Sequence, residues 1–315
     1  MKSLKTVLAI STLAAVSLVA ACAHPPGSSK IPLASDSRPD FTGVWTSRGL
    51  TMTERAQPGS LIASDEVAAA IAKGIYDFIR SKEMEAALDP DAVTANVTDL
   101  HKVRGEWRTS YVTLPENGKL PFTAEAIARL NAADIAERTE SGDGPEVRLP
   151  GERCMRGSGM TPLYQVPANN VRQFIQTNDH FLIYTEEGGD LRHVRMGGDP
   201  LNPAVTSRFG DSIGRWEGQE LVIETTGVKE YASRFPWGTM VLDASSKVIE
   251  RISMVSPGEL VYQFTIEDPD LYSEPWSAEF PLFRAGNRIY EYGCHEGNYS
   301  LTHILQAARQ LEQRK

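Results

Sequence analysis

The chain has 315 residues, with 32 Lys and Arg against 41 Asp and Glu and a formal net charge of −9. That is the wrong sign for a nucleic-acid binder, which needs a basic face to displace counterions, and no nucleic-acid partner is expected. Hydrophobic residues make up 41% of the chain, enough for a sizeable core in one large β-domain or two smaller domains.

The N-terminus reads as a leader. Lys2 and Lys5 precede an uncharged stretch over residues 6–21 that ends in Leu18-Val19-Ala20-Ala21-Cys22. A basic start, an apolar middle and small residues at a cut site are the parts of a secretory signal peptide. The apolar run is shorter than the ~20 residues that a spanning helix needs. Cys22 after small residues resembles the lipobox of bacterial lipoproteins, which implies a lipidated thiol at the mature N-terminus. An ordinary signal peptide with an incidental cysteine is the plainer alternative. Loss of residues 1–21 removes two lysines and no acid, which takes the charge from −9 to −11, so acyl chains rather than basic residues must hold the chain at a membrane. Ala23 stands where an aspartate would mark inner-membrane retention in some bacteria. The resemblance therefore implies an outer-membrane anchor facing the periplasm. Residues 22–38, rich in Pro, Ser and Gly, form a tether able to span up to ~50 Å.

Folded sequence begins at residue 39, and 39–315 is read as one domain. Phe41-Thr42-Gly43-Val44-Trp45-Thr46 is a first strand. A helical insertion follows at about 62–141. Ser64 caps a first helix with Val67, Ile71, Ile75 and Phe78/Ile79 at helical spacing, ended by Asp89-Pro90. Thr123 caps a second helix carrying Ile127, Leu130 and Ile135, and a loop covers 139–151. From about 163 the pattern becomes strands at 171–177, 180–186, 191–196, 213–216, 220–226, 247–255, 259–267, 276–283 and 288–293. Compact turns such as Asn178-Asp179 join them. Residues 300–313 close the chain as a helix with one apolar stripe. Successive hairpins predict an antiparallel meander, which curls or closes to remove its edges. Gly43-Val44-Trp45 resembles the G-x-W start of lipocalins, in which a first-strand tryptophan plugs one end of an eight-stranded cup. The expected fold is mainly β: a lipocalin-like barrel with a helical insertion after its first strand and a C-terminal helix. A two-sheet sandwich is the alternative.

Besides Cys22, only Cys154 and Cys294 are present. In an exported chain they are expected to form a disulfide, the alternatives being two buried thiols or one reactive thiol beside His295. Polar density peaks at Gly210-Asp211-Ser212-Ile213-Gly214-Arg215-Trp216-Glu217-Gly218 and at Tyr290-Glu291-Tyr292-Gly293-Cys294-His295-Glu296-Gly297-Asn298. With Glu152-Arg153-Cys154 and Asp268-Pro269…Pro275-Trp276, these strings resemble a family of exported bacterial proteins of unknown function, over roughly residues 150–310. The resemblance implies no activity.

The residues themselves suggest proton-transfer chemistry. Glu291 beside His295 is the least equipment for acid–base work near neutral pH. Arg215 and Asp211 join it if the two clusters meet, the guanidinium orienting an anionic group. The plain alternative is a buried Arg215–Glu291 ion pair and a histidine that only surrounds the disulfide. Ser212 lacks the strand before it and the helix after it that a nucleophile elbow requires. His180 and His193 lie on adjacent strands, but neither they nor His295 and His303 have the spacing of a helical zinc motif. No metal or other cofactor is expected.

Trp216, Trp276, Tyr262, Tyr290 and Tyr292 are the candidate ligand-binding residues, provided they face a cavity. Three readings follow. The first is a lipid-anchored envelope protein that binds a small apolar or aromatic molecule in a β-calyx. The second is a metal-independent lyase, isomerase or hydrolase using His295, Glu291 and Arg215. The third is an envelope scaffold with a filled barrel.

Overall fold

The computed structural model describes residues 31–56, 58–81, 97–139, 142–148, 152–155, 159–163, 165, 171–202, 204–233, 238–286 and 288–314. The expected signal peptide, Cys22, most of the tether and Asp89-Pro90 lie outside them.

In chain order, β1 (Gly43–Thr46) leads into β2 (Ile62–Ala63) and α1 (Asp65–Ile79). Next come β3 (Lys102–Val103), β4 (Glu106–Arg108), β5 (Val112–Leu114) and α2 (Ala124–Thr139). The strand-rich half holds β6 (Arg172–Gln176), β7 (His180–Thr185), β8 (Asp190–Met196), β9 (Asp211–Glu217) and β10 (Glu220–Thr226). It continues through β11 (Tyr231–Ser233), β12 (Met240–Leu242), β13 (Lys247–Ser256), β14 (Glu259–Glu267) and β15 (Trp276–Arg284), and α3 (Tyr299–Glu312) ends the order.

Nine of these strands close a barrel in the order β1-β6-β7-β8-β9-β10-β13-β14-β15, with β15 returning to β1. The expected barrel is present, and closure removes the sheet edges. It is not a pure meander, because β8 and β9 pair in parallel. Residues 197–210 carry the chain back to start β9 beside β8. Gly210 ends that return at φ +68, where an added Cβ would stand 2.7 Å from both Thr225 Cγ2 and the Thr226 carbonyl.

The insertion follows β1 as expected. Ser64 caps α1 through Val67 N, and Thr123 caps α2 through Ala126 N. The buried face of α1 is Ala68, Ala72, Ile75 and Ile79, whereas Val67 and Phe78 point to solvent. α1 also ends at Ile79, ahead of Asp89-Pro90: Arg80 leaves the helix at φ −88, ψ 5, and its N–H closes onto Tyr76 and Phe78 carbonyls.

Residues 288–293 are not a strand. β15 is paired on one side by β14 and on the other by β1 and β5, so no open edge is left for another strand. The segment instead leaves β15 through Ala285 N donating to Val44 O. It then runs as a strap over the barrel's outer face. The Cys154–Cys294 disulfide, with Cα atoms 5.7 Å apart, ties its far end down. Beside it Asn298 caps α3 and donates to the Glu152 carbonyl.

Candidate functional site

The alternation of β-strands decides what enters the barrel. In β13 it turns Val248, Glu250 and Ile252 inward, and all three are fully buried. In β8 it does the same for Asp190, Arg192 and Val194, and in β6 for Arg172 and Phe174. The barrel therefore holds charge at its centre. Arg192 Nη2 donates to Glu250 Oε1 at 2.7 Å, and the Tyr262 hydroxyl donates to the same oxygen. Thr161 Oγ1 donates to Glu250 Oε2 at 3.0 Å, while Leu163 N–H donates to the Tyr262 oxygen at 2.7 Å. The stretch containing Thr161 and Leu163 is thus threaded into the barrel as a plug.

Burial of ions needs such pairing, because an unpaired one would cost several kcal/mol. Desolvation is the largest influence on Arg192 and lowers its pKa, yet Glu250 and Tyr262 together outweigh it and leave the guanidinium raised. Burial, reinforced by Glu250, holds the Tyr262 hydroxyl well above the usual tyrosine range. Burial pulls the nearby Arg172 guanidinium down to about 10.

A second polar cluster lies where β1 peels away from β15 and β5 takes over as its partner. His101 Nε2 stands 3.0 Å from Ser47 Oγ, and His101 Nδ1 stands 2.9 Å from the Tyr111 hydroxyl. Gln165 of the plug donates to the Ser47 carbonyl at 3.1 Å and approaches His101 Nε2 at 3.4 Å. That contact assigns the amide NH₂ to the ring side, makes Nε2 the acceptor and leaves the ring proton on Nδ1. Burial lowers the imidazole from 6.5 to about 3, so it is neutral. Gly49 is required beneath it, since a Cβ there would lie 2.4 Å from Nδ1.

A cavity of about 20 Å³ lies between Thr53, Tyr111, Gln165, Phe264, Trp276 and Phe280. That is room for about one water. Thr53 Oγ1 and Gln165 Oε1 are buried there without a hydrogen-bond partner among the described residues, which suits a water site. Trp276 Nε1 reaches toward the Tyr272 hydroxyl without a hydrogen bond of good geometry. Where the described residues line it, the interior is occupied by the barrel's own side chains and by the plug.

The residues singled out from sequence are dispersed. Arg215 is half exposed on the outside of β9 and pairs with Glu217 at 2.9 Å. Asp211 accepts from Arg195 at 2.9 Å and from Leu201 N at 2.8 Å, which makes it a loop anchor. Glu291 and His295 are exposed on the strap and in the turn that follows it. Among the described residues, no hydrogen bond or ion pair links Arg215 or Asp211 to Glu291 or His295, and the expected acid–base constellation is not assembled. Ser212 is buried against Thr225 Oγ1 at 2.8 Å. Tyr262 is a core residue, Trp276 edges the small cavity, and Trp216 is half buried against Phe41, ring centroids 5.4 Å apart. Tyr290 is 69% exposed and Tyr292 is half buried. The expected disulfide is present.

A larger space lies outside the barrel. Val44, Gln173 and Tyr184 form one cross-strand row over β1, β6 and β7, and exposed Leu191 extends it onto β8. The strap crosses this row, held by Tyr290 N–H donating to Glu186 Oε2 at 3.0 Å. Between row and strap is a groove of about 500 Å³ lined by Val44, Gln173, Tyr184, Arg288, Ile289, Tyr290 and Glu291. Two of the sequence candidates, Tyr290 and Glu291, thus line a space, but on the opposite side of the barrel wall from the one expected.

Sequence reasoning missed the interior network, although its signal was legible. Glu250 and Arg192 occupy inward phases of otherwise apolar alternations. His101, Ser47 and Tyr111 had no such signal, being brought together by the fork in the wall. Among the described residues no group of three or more His, Cys, Asp and Glu gathers as a metal site. No family model, no characterised protein and no solved structure matches the chain.

Proposed function

We propose that the protein is a lipid-anchored envelope protein that binds a small aromatic molecule in the groove under its strap, outside its barrel. One comparison carries this reading: the groove holds about 500 Å³, whereas the internal cavity beside Phe264 and Trp276 holds about 20 Å³. Only the former is in the range of small-molecule sites. Tyr184 and Tyr290 supply aromatic faces, Val44 and Ile289 apolar walls, and Arg288 and Glu291 the charges that would orient a polar substituent.

The fluorescent aromatic anion 8-anilinonaphthalene-1-sulfonate is a suitable probe. Tyr184→Ala and Tyr290→Ala are each expected to weaken its binding about tenfold, the ~1.4 kcal/mol of one lost ring contact. Unchanged affinity in both variants would end the groove reading. Cys22→Ser is expected to move the protein from the membrane to the soluble fraction; retention on the membrane would remove the lipid anchor from the proposal.

A scaffold role is the second reading, favoured by the side chains and plug that occupy the interior. It predicts that protein taken from native membranes carries no small molecule by native mass spectrometry, whereas the groove reading predicts a bound adduct.

A further inference from the structure

His180 and His193 face each other on the barrel's outer wall. They are diagonal neighbours on β7 and β8, since His180 lies opposite Arg195 and His193 opposite Leu182. Both rings are exposed, and Nδ1 of His180 stands 2.8 Å from Nε2 of His193. One proton is therefore shared between two lone pairs that a metal ion competes for.

We infer that His180 and His193 form a two-imidazole site for Cu(II). The argument is geometric. Two nitrogens bound at about 2.0 Å stand about 2.8 Å apart when they are cis in a square-planar ion, but about 3.3 Å apart in a tetrahedral one. The observed 2.8 Å is the length of an N–H···N hydrogen bond and shows that both nitrogens lie within the span of one ion; the preference for Cu(II) over Zn(II) follows from the stronger binding of Cu(II) by nitrogen ligands such as imidazole. Binding requires only that the two exposed rings turn so that both lone pairs face outward, with water completing the coordination.

Local charge permits this. Arg195, the cation opposite His180, is drawn away by Asp211, whose two oxygens lie 3.0 and 2.9 Å from its Nη2, and by the Asp199 carbonyl at 3.2 Å. The backbone under the site is rigid as well, because Thr177 Oγ1 accepts from His180 N–H at 3.0 Å and donates to the His180 carbonyl.

Titration of the full-length protein in detergent with CuCl₂, followed by calorimetry and electron paramagnetic resonance, tests the assignment. The expected result is one Cu(II) bound in the micromolar range, with superhyperfine coupling to two nitrogens. His180→Ala and His193→Ala should each weaken it at least about tenfold, since loss of even an outer-shell partner costs 10–100-fold. His303→Ala should leave it unchanged. Zn(II) should bind more weakly than Cu(II). Both sites of substitution are exposed, so the variants should melt as the parent does. Wild-type affinity in either histidine variant, coupling to a single nitrogen, tighter binding of Zn(II), or binding only at millimolar copper overturns the inference.

Discussion

His101 shows how far one buried side chain can couple stability to pH. It is fully enclosed, hydrogen-bonded at both nitrogens and lowered by burial from 6.5 to about 3. An unfolded chain takes up the proton near 6.5, while the folded one resists it until about 3. The contribution is therefore complete above pH 6.5 and is lost as pH falls toward 3, by up to about 1.4 kcal/mol per pH unit. Urea midpoints measured between pH 6.5 and 5, before most carboxylates titrate, should fall in the parent and stay flatter in His101→Gln. Parallel slopes in the two proteins would acquit the histidine.

At the scale of elements, the barrel strands and the plug are fastened to each other through Glu250. Its two oxygens collect Arg192 of β8, Tyr262 of β14 and Thr161 of the plug. Removal of one partner leaves the other ion buried and uncompensated, so Arg192→Met and Glu250→Gln should each cost about 3–5 kcal/mol. The double variant Arg192→Met with Glu250→Gln should cost less than the sum, because it removes both desolvated charges. Chemical denaturation of all three decides the point; full additivity would mean that the pair is not coupled. The plug supplies two of the network's hydrogen bonds, from Thr161 and Leu163.

For the whole molecule, the strap and α3 are held by the disulfide rather than by strand pairing. The bridge spans a sequence separation of 140 residues. Chain-entropy reasoning gives such a loop about 5 kcal/mol. The variant Cys154→Ser with Cys294→Ser should lose stability of that order. Hydrogen exchange should rise over residues 285–298, while β14, paired along its length by β13 and β15, stays protected. Equal protection of the strap in both proteins would show that the groove is held by other contacts. Loss of the bridge should also weaken binding of the aromatic probe, since the strap forms one wall of the groove.

Much of this was local information. The strand pattern, Ser64 and Thr123 as helix caps, the place of the insertion and the pairing of the two remaining cysteines are properties of short stretches or of simple counting, so the amino-acid sequence by itself determined them. Alternation also dictated that Glu250 and Arg192 point the same way as their apolar neighbours. What only the tertiary structure decided was everything that depends on closure. The return of β15 to β1 consumed the edge that residues 288–293 needed, which turned an expected strand into an external strap. It also kept Arg215 apart from His295. The parallel β8–β9 pair and the fork that gathers Ser47, His101 and Tyr111 join residues far apart in the chain, and pairing across such distances is set by which edges and which interior volume remain after the rest has folded.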